Sequence, residues 1–218
     1  MLQLRKPYLL LSSFFLFSFF VSCRISKFKH PKECNRVVIT KQAFMPVLNE
    51  TTATKFKASI DVLKNHLTGI IIVKKTDSES THIIFVTEIG MKMFDFEWKD
   101  GTMKAAYVFE PLNKPTLINA LLNNFKSMLL LDVYTHAGWC TNKHFKSYYD
   151  LEGYKYRYVV ADSLKGVASQ NIFNKNRKSC IINYNFATET KTYTQIKCTQ
   201  FGFVKIRTEL NKIEEQYD

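Results

Sequence analysis

GIIIVKKTDSESTHIIFVTEIGMKMFDFEWKDGT, residues 69–102, decides the fold. Residues 69–75 and 82–87 are short runs rich in β-branched side chains, parted by the polar stretch Thr76-Asp77-Ser78-Glu79-Ser80, and they predict a hairpin. Glu88-Ile89-Gly90 turns the chain back into 91–99, where Phe94, Phe96 and Trp98 share one side and Met93, Asp95 and Glu97 the other. Asp100-Gly101 is a strong turn dipeptide ahead of a further strand over 102–110. Upstream, Phe56, Ala58, Ile60 and Val62 alternate with Lys55, Lys57, Ser59 and Asp61, the period of a strand with one buried face. Links this short predict antiparallel neighbours, because a parallel crossover needs a dozen or more residues.

The period changes at Lys114-Pro115. Leu117, Ile118, Leu121, Leu122, Phe125, Met128 and Leu129 recur at three and four, with Asn119, Asn123, Asn124 and Lys126 between them, which predicts an amphipathic helix over 116–131. Pro115 suits its first turn and Thr116 lies near enough to cap it. A second strand set follows. Tyr154, Tyr156 and Tyr158 alternate with Lys155 and Arg157, Ile182, Tyr184 and Phe186 with Asn183 and Asn185, and 193–198 and 204–210 complete it. The expectation is a β-rich α+β chain of about ten antiparallel strands and one apolar helix, ending in a polar tail over 211–218.

The start of the chain reads differently. Arg5 and Lys6 precede an apolar run from Tyr8 to Val21, followed by Ser22-Cys23, which is the layout of a signal peptide. The run holds fourteen residues, against the ~20 that a membrane-crossing helix needs. Phe20-Val21-Ser22-Cys23 resembles a bacterial lipobox, with Phe where Leu is usual, and the resemblance implies cleavage before Cys23 and diacylglycerol on its sulfur. Residues 1–22 are then an address, 23–34 a lipidated basic tether containing Pro31, and 35–218 a single domain. Arg24 stands where an aspartate holds lipoproteins at the inner membrane in Lol sorting, so the same resemblance implies the outer membrane; of its two faces, the lack of acids just after Cys23 favours the periplasmic one over the cell exterior.

The whole chain has 31 basic and 19 acidic side chains, a formal charge of +12; losing Arg5 and Lys6 leaves 29 against 19, or +10. That surplus suits anionic lipid head groups. No Arg-rich helix or paired aromatic RNA motif accompanies it, so nucleic acid is not expected as a partner. Lysines that keep a β-rich surface soluble and its edges unpaired would give the same balance.

Leu67-Thr68-Gly69-Ile70-Ile71-Ile72-Val73-Lys74, then 85–96 and the Pro-started helix over 117–131, together with the lipobox, resemble the LolA/LolB lipoprotein-carrier superfamily, and most of all the LolB-like lipoproteins of Bacteroidetes. The resemblance covers about a third of the chain. It implies an open antiparallel half-barrel whose concave face is covered by helix, and a lipid or acylated ligand held there. Phe94, Phe96, Trp98, Tyr107, Leu121 and Tyr156 are the expected lining, although aromatics at strand spacing serve equally as plain core. LolB-type carriers extend a loop bearing an exposed apolar residue, whereas the turns 76–80 and 99–101 here are polar.

Catalytic chemistry finds little support. Glu88 and Asp95 could face a pocket mouth, but without a positioned histidine or nucleophile they make no catalytic set, and Gly90 reads as the positive-φ residue of a reversal. His136, Cys140 and His144 are spaced for metal only if helical, and Gly138 with Trp139-Cys140-Thr141-Asn142 reads as a loop instead; no metal or cofactor is expected. No Gly-rich phosphate loop, nucleophile elbow or HExxH is present. Setting Cys23 aside leaves Cys34, Cys140, Cys180 and Cys198. A hairpin centred on Glu189 would set Cys180 opposite Cys198 within disulfide reach, one of the three pairings that four cysteines allow. Two functions follow: a lipid-binding envelope lipoprotein, or a non-catalytic envelope lipoprotein with a filled core that recruits protein partners.

Overall fold

Phe56, Ala58, Ile60 and Val62 are buried while Lys57 and Asp61 are exposed, so the alternation of this segment is the inside and outside of a sheet. The computed structural model describes residues 35–38, 47–48, 53–62, 64–77, 80–131, 136–142, 145–150, 156–161, 166–174, 177–187, 189–190 and 192–214. Residues 1–22, Cys23 and the tether over 24–34 lie outside them. Thirteen strands form one sheet: β1 (Asn35–Val38), β2 (Thr54–Val62), β3 (Asn65–Asp77), β4 (Ser80–Thr87), β5 (Lys92–Lys99), β6 (Thr102–Val108), β7 (His136–Asn142), β8 (Phe145–Asp150), β9 (Tyr156–Ala161), β10 (Val167–Asn174), β11 (Arg177–Ala187), β12 (Thr192–Gln200) and β13 (Ile206–Lys212). Their order is β1-β7-β8-β9-β10-β11-β12-β13-β2-β3-β4-β5-β6, antiparallel at every step, and among the described residues β1 and β6 are its edges. Two meanders, β2–β6 and β7–β13, are thus joined by β13 against β2, with Thr208 facing Ile60 and Leu210 facing Ala58.

Local chemistry explains the turns. Asp100 and Gly101 both take positive φ, 49° and 72°, and close a two-residue hairpin between the paired Lys99 and Thr102. Primed turns of this sort need both central residues left-handed, which Asp-Gly supplies. Gly90 is likewise left-handed at φ 83°, as its place in the reversal predicts, and its N–H donates to the Thr87 carbonyl at 2.9 Å. Gly69 is needed for space: a Cβ there would collide with the Val86 carbonyl oxygen on β4.

After a 3-10 turn over Glu110–Leu112, helix α1 runs Pro115–Met128, three residues short of its apolar run. Pro115 does lead it, but the cap position is Lys114, whose side chain makes no capping bond; Thr116 lies inside the helix. The end is a Schellman motif, with Leu131 N–H on the Lys126 carbonyl at 3.1 Å and Leu130 N–H on Ser127 at 3.2 Å. Leu130 takes the left-handed position at φ 51° that glycine usually fills. The ~1–2 kcal/mol this costs a leucine is offset by burial of Leu129, Leu130 and Leu131. That is where the helical period continues without the helix.

Candidate functional site

The interior between sheet and helix is built from two unlike surfaces. On the β2–β6 side, Phe94 and Phe96 stack at 4.3 Å between ring centres, Phe85 lies 5.3 Å from Phe94, and Phe125 of α1 closes on Phe94 and Phe96 at 5.4 and 6.1 Å. Leu117, Leu121 and Met128 of α1 and Ile71 and Ile83 of the sheet complete this wall, all buried. On the β10–β13 side the buried face carries polar groups. Tyr184 Oη donates to the Ser127 carbonyl at 3.1 Å, tying the last turn of α1 to the sheet, and lies 3.4 Å from buried Gln170 Oε1. Tyr193 Oη accepts the Val167 N–H at 2.7 Å, and burial pushes its phenol up to about 12. Asn124 Nδ2 on α1 and Thr208 Oγ1 on β13 are buried without a hydrogen-bond partner among the described residues.

The molecule also has a distinct rim. The β2–β3, β4–β5 and β12–β13 turns all fall at the same end of the sheet, because Val62 pairs with both Asn65 and Ile206, and Gly69 with Thr87. This end carries Ile89 at 87% exposure and Phe203 at 99%, with Met91 and Phe201 also exposed. Lys64, Lys92 and Lys205 are exposed among them, against Glu88. Four strand spacings separate the β12–β13 turn from the β4–β5 turn, roughly 19 Å.

Solved structures of related shape share little sequence with this chain. The LolA superfamily protein NE2245 from Nitrosomonas europaea matches 81% of this chain and 91% of its own at 10% identity, with a TM-score of 0.46. A DUF1329 family protein from Desulfovibrio piger matches 78% and 87% at 7% identity and 0.41. An outer membrane lipoprotein-sorting protein domain from Vibrio parahaemolyticus matches 80% and 87% at 8% identity and 0.40. No protein-family model and no curated protein matches the chain. What the site does is therefore argued from its own residues.

Of the expected lining, Phe94, Phe96 and Leu121 come together in the sheet–helix interior, buried to 1%, 0% and 3%. Trp98 is half-buried at its margin, with Lys126 Nζ 5.7 Å from the ring centre. Tyr107 belongs elsewhere. Strict alternation along β6 would set it inward with Met103 and Ala105, but the register slips between Asp95 and Phe96, so Tyr107 pairs with Asp95 on the outer face. There it lies 41% exposed, with Lys92 Nζ 4.8 Å above its ring. The same kind of slip between Phe85 and Val86 turns Met93 inward beside Phe94, against its expected outward side. Tyr156 is the first residue of β9, and its side chain lies outside the described residues.

The acidic residues do not converge. Glu88 is exposed in the β4–β5 turn, while Asp95 accepts a 2.8 Å hydrogen bond from His82 Nδ1 on the outer face, with Lys92 Nζ at 4.0 Å. His136 and Cys140 sit on β7, not on a loop, and His144 is outside the described residues. Asn124 was expected among the solvent-facing positions of the helix; it is buried beside Ser127 and Met128. The sequence shows Glu88-Ile89-Gly90 as a reversal, but the search for an exposed apolar loop residue covers only the turns at the opposite end, 76–80 and 99–101. The signal for the rim was present as Ile89 beside Gly90 and Phe203 beside Gly202, bulky apolar residues inside turns.

Proposed function

We propose that this chain is an envelope lipoprotein, anchored through lipid on Cys23 and the basic tether over 24–34, whose 35–218 body takes an acyl chain into the sheet–helix interior. The supporting observation is an open thirteen-strand sheet with an apolar, aromatic inner wall against a single described helix. Thirteen strands at ~4.8 Å extend about 58 Å, whereas fourteen helical residues extend about 21 Å. A lid of that size can lift from one end of the wall without unpairing the sheet. Each methylene taken in would contribute ~0.8 kcal/mol. The cost is separating Phe125 from Phe94 and Phe96 and breaking the Tyr184–Ser127 bond.

The exposed rim gives this body a membrane-facing end. Ile89 and Phe203 supply apolar tips and Lys64, Lys92 and Lys205 the charge that suits anionic head groups, which is how a surface-seeking edge is composed. The polar turns 76–80 and 99–101 lie at the far end, so they do not count against delivery of cargo to a bilayer.

Native mass spectrometry of the mature chain, purified without detergent from membrane-containing cells and followed by lipid extraction, is the direct test. A bound phospholipid or acylated peptide is expected. A clean ligand-free mass, with no uptake when lipid is offered, would sink the carrier reading. Acyl labelling of wild type and Cys23→Ala checks the anchor separately: label should be lost in the variant.

A second reading is favoured by the closeness of Phe94, Phe96 and Phe125, which leaves those side chains in contact with one another. On that reading the core is simply filled and the protein acts through its surface, with Ile89 and Phe203 as contacts for a protein partner.

A further inference from the structure

Cys180 on β11 and Cys198 on β12 lie on the buried face of the sheet, 3% and 1% exposed, with their sulfurs 3.3 Å apart. They are not directly opposed. Cys180 faces Gln200 and Cys198 faces Ile182, a diagonal offset of two residues. The hairpin turn sets one residue of that offset, with Ala187 facing Thr192, and a register slip between Asn185 and Phe186 adds the second. A single-residue slip would have put the two side chains on opposite faces; two together return them to the same one. A disulfide needs ~2.05 Å between sulfurs, so the pair must close by about 1.2 Å through side-chain rotation and local adjustment of the two neighbouring strands.

We propose that Cys180 and Cys198 form a disulfide that staples the β11–β12 hairpin as the chain folds. The electron acceptor is a disulfide oxidant of the thiol–disulfide exchange class. One cysteine thiolate attacks the oxidant's disulfide to give a mixed disulfide and one leaving thiol. The second thiolate then attacks the protein sulfur and releases the other. Two protons and two electrons leave the cysteines, and the oxidant ends as two thiols. The order of events follows from burial. In the finished fold the thiol of Cys198 is held well above its usual range by its hydrogen bond to Cys180 and by desolvation, which leaves little of the reactive thiolate. Closure therefore precedes burial, on the exposed hairpin, and the finished bridge is shielded from reductant.

The pairing rests on the hairpin geometry; only its presence in cells rests on export to an oxidising compartment. The test keeps all five cysteines. Full chain is reduced and unfolded, refolded in mixed reduced and oxidised glutathione, alkylated in denaturant and digested with trypsin. The expected product joins the peptides 179–191 and 198–205, and in native buffer it resists a reductant that opens it once the chain is unfolded. Reducing it should lower Tm by roughly 5–10 °C, and in Cys180→Ala the same treatment should leave Tm unmoved. Both cysteines alkylated after refolding, or a bridge from either one to Cys34 or Cys140, would overturn the proposal. If the linked peptides form on refolding but both thiols are free in chain taken directly from cells, the staple stands and the export reading falls.

Discussion

Between β2 and β6 the inner face of the sheet is closed mainly by hydrocarbon, Phe85, Phe94 and Phe96 against Phe125, with Thr54 and Thr81 as buried hydroxyls on β2 and β4, while between β10 and β13 it is interlaced with Gln170, Tyr184, Tyr193 and Thr208. Both faces are equally dry, but they reach dryness by different means. The first depends on ring packing, which loses energy smoothly as atoms are removed. The second depends on hydrogen bonds whose partners must all be present, because a buried polar group left alone costs the full loss of its water. Helix α1 straddles the two, apolar toward the first through Leu117, Leu121 and Phe125, and bound to the second through the Ser127 carbonyl. A lid attached by packing on one side and by the Tyr184–Ser127 hydrogen bond on the other has a natural hinge and a natural latch.

The contrast can be broken by substitution. Phe94→Ala removes the ring at the centre of the aromatic wall and should cost ~3–5 kcal/mol, read as a lower urea midpoint; a loss below ~1 kcal/mol would mean the wall is not tightly packed. Tyr193→Phe should cost ~1–3 kcal/mol, since it strands the buried Val167 N–H. The same tyrosine gives the wild type an alkaline limb. Its folded phenol is pushed up to about 12 from 10.0, so its contribution is intact below pH 10 and falls as pH rises toward 12. The full loss is on the order of 3 kcal/mol, and Tyr193→Phe should lack that limb in thermal melts taken between pH 9 and 12.

Tyr184→Phe opens the latch. A cost of ~1 kcal/mol should appear as faster amide exchange over Leu129–Leu131 with the strands unchanged, and under the carrier reading as faster lipid uptake. Unchanged exchange there would show that the helix end is held by packing alone. Thr208→Val sharpens the comparison from the other side, replacing a hydroxyl that has no partner among the described residues with a methyl of the same shape. A gain of ~1 kcal/mol is expected, seen as a Tm higher by about 2–4 °C; a loss would mean that Oγ1 bonds to something in solution.

The two halves also differ in how readily their sequences give them away. Strand β2 alternates cleanly, β3 and β4 are β-branched runs parted by a polar turn, and the reversals into β5 and β6 are marked by Gly90 and Asp100-Gly101, so these strands are legible with their partners. Strand β10, VASQNIFN, buries Gln170 and exposes no clean period, and β7, HAGWCTN, with Gly138 inside it, reads as loop. The short β1 and the tyrosine- and serine-bearing β8 were missed as well, which is why about ten strands were expected and thirteen are present. Within the candidate site, Phe94, Phe96 and Leu121 were legible from period alone. Tyr107, Met93 and Asn124 were not: two depend on register slips, and the third is a polar residue that the fold buries with its Nδ2 unpaired among the described residues.

By itself, the sequence determined the elements whose signal is local: the alternating strands of the first meander, the Asp100-Gly101 and Gly90 turns, and the amphipathic helix announced by Pro115. Those follow from side-chain period and backbone sterics, which act over a few residues. Only the tertiary structure decided what depends on residues far apart meeting. It decided that β13 pairs with β2 and joins the meanders, that two slips swing Tyr107 out and Met93 in, and that two offsets return Cys180 and Cys198 to one face. It also gathered three distant turns into one apolar, basic rim. Register and pairing are set by which faces can be buried together, and no segment of the chain carries that information alone.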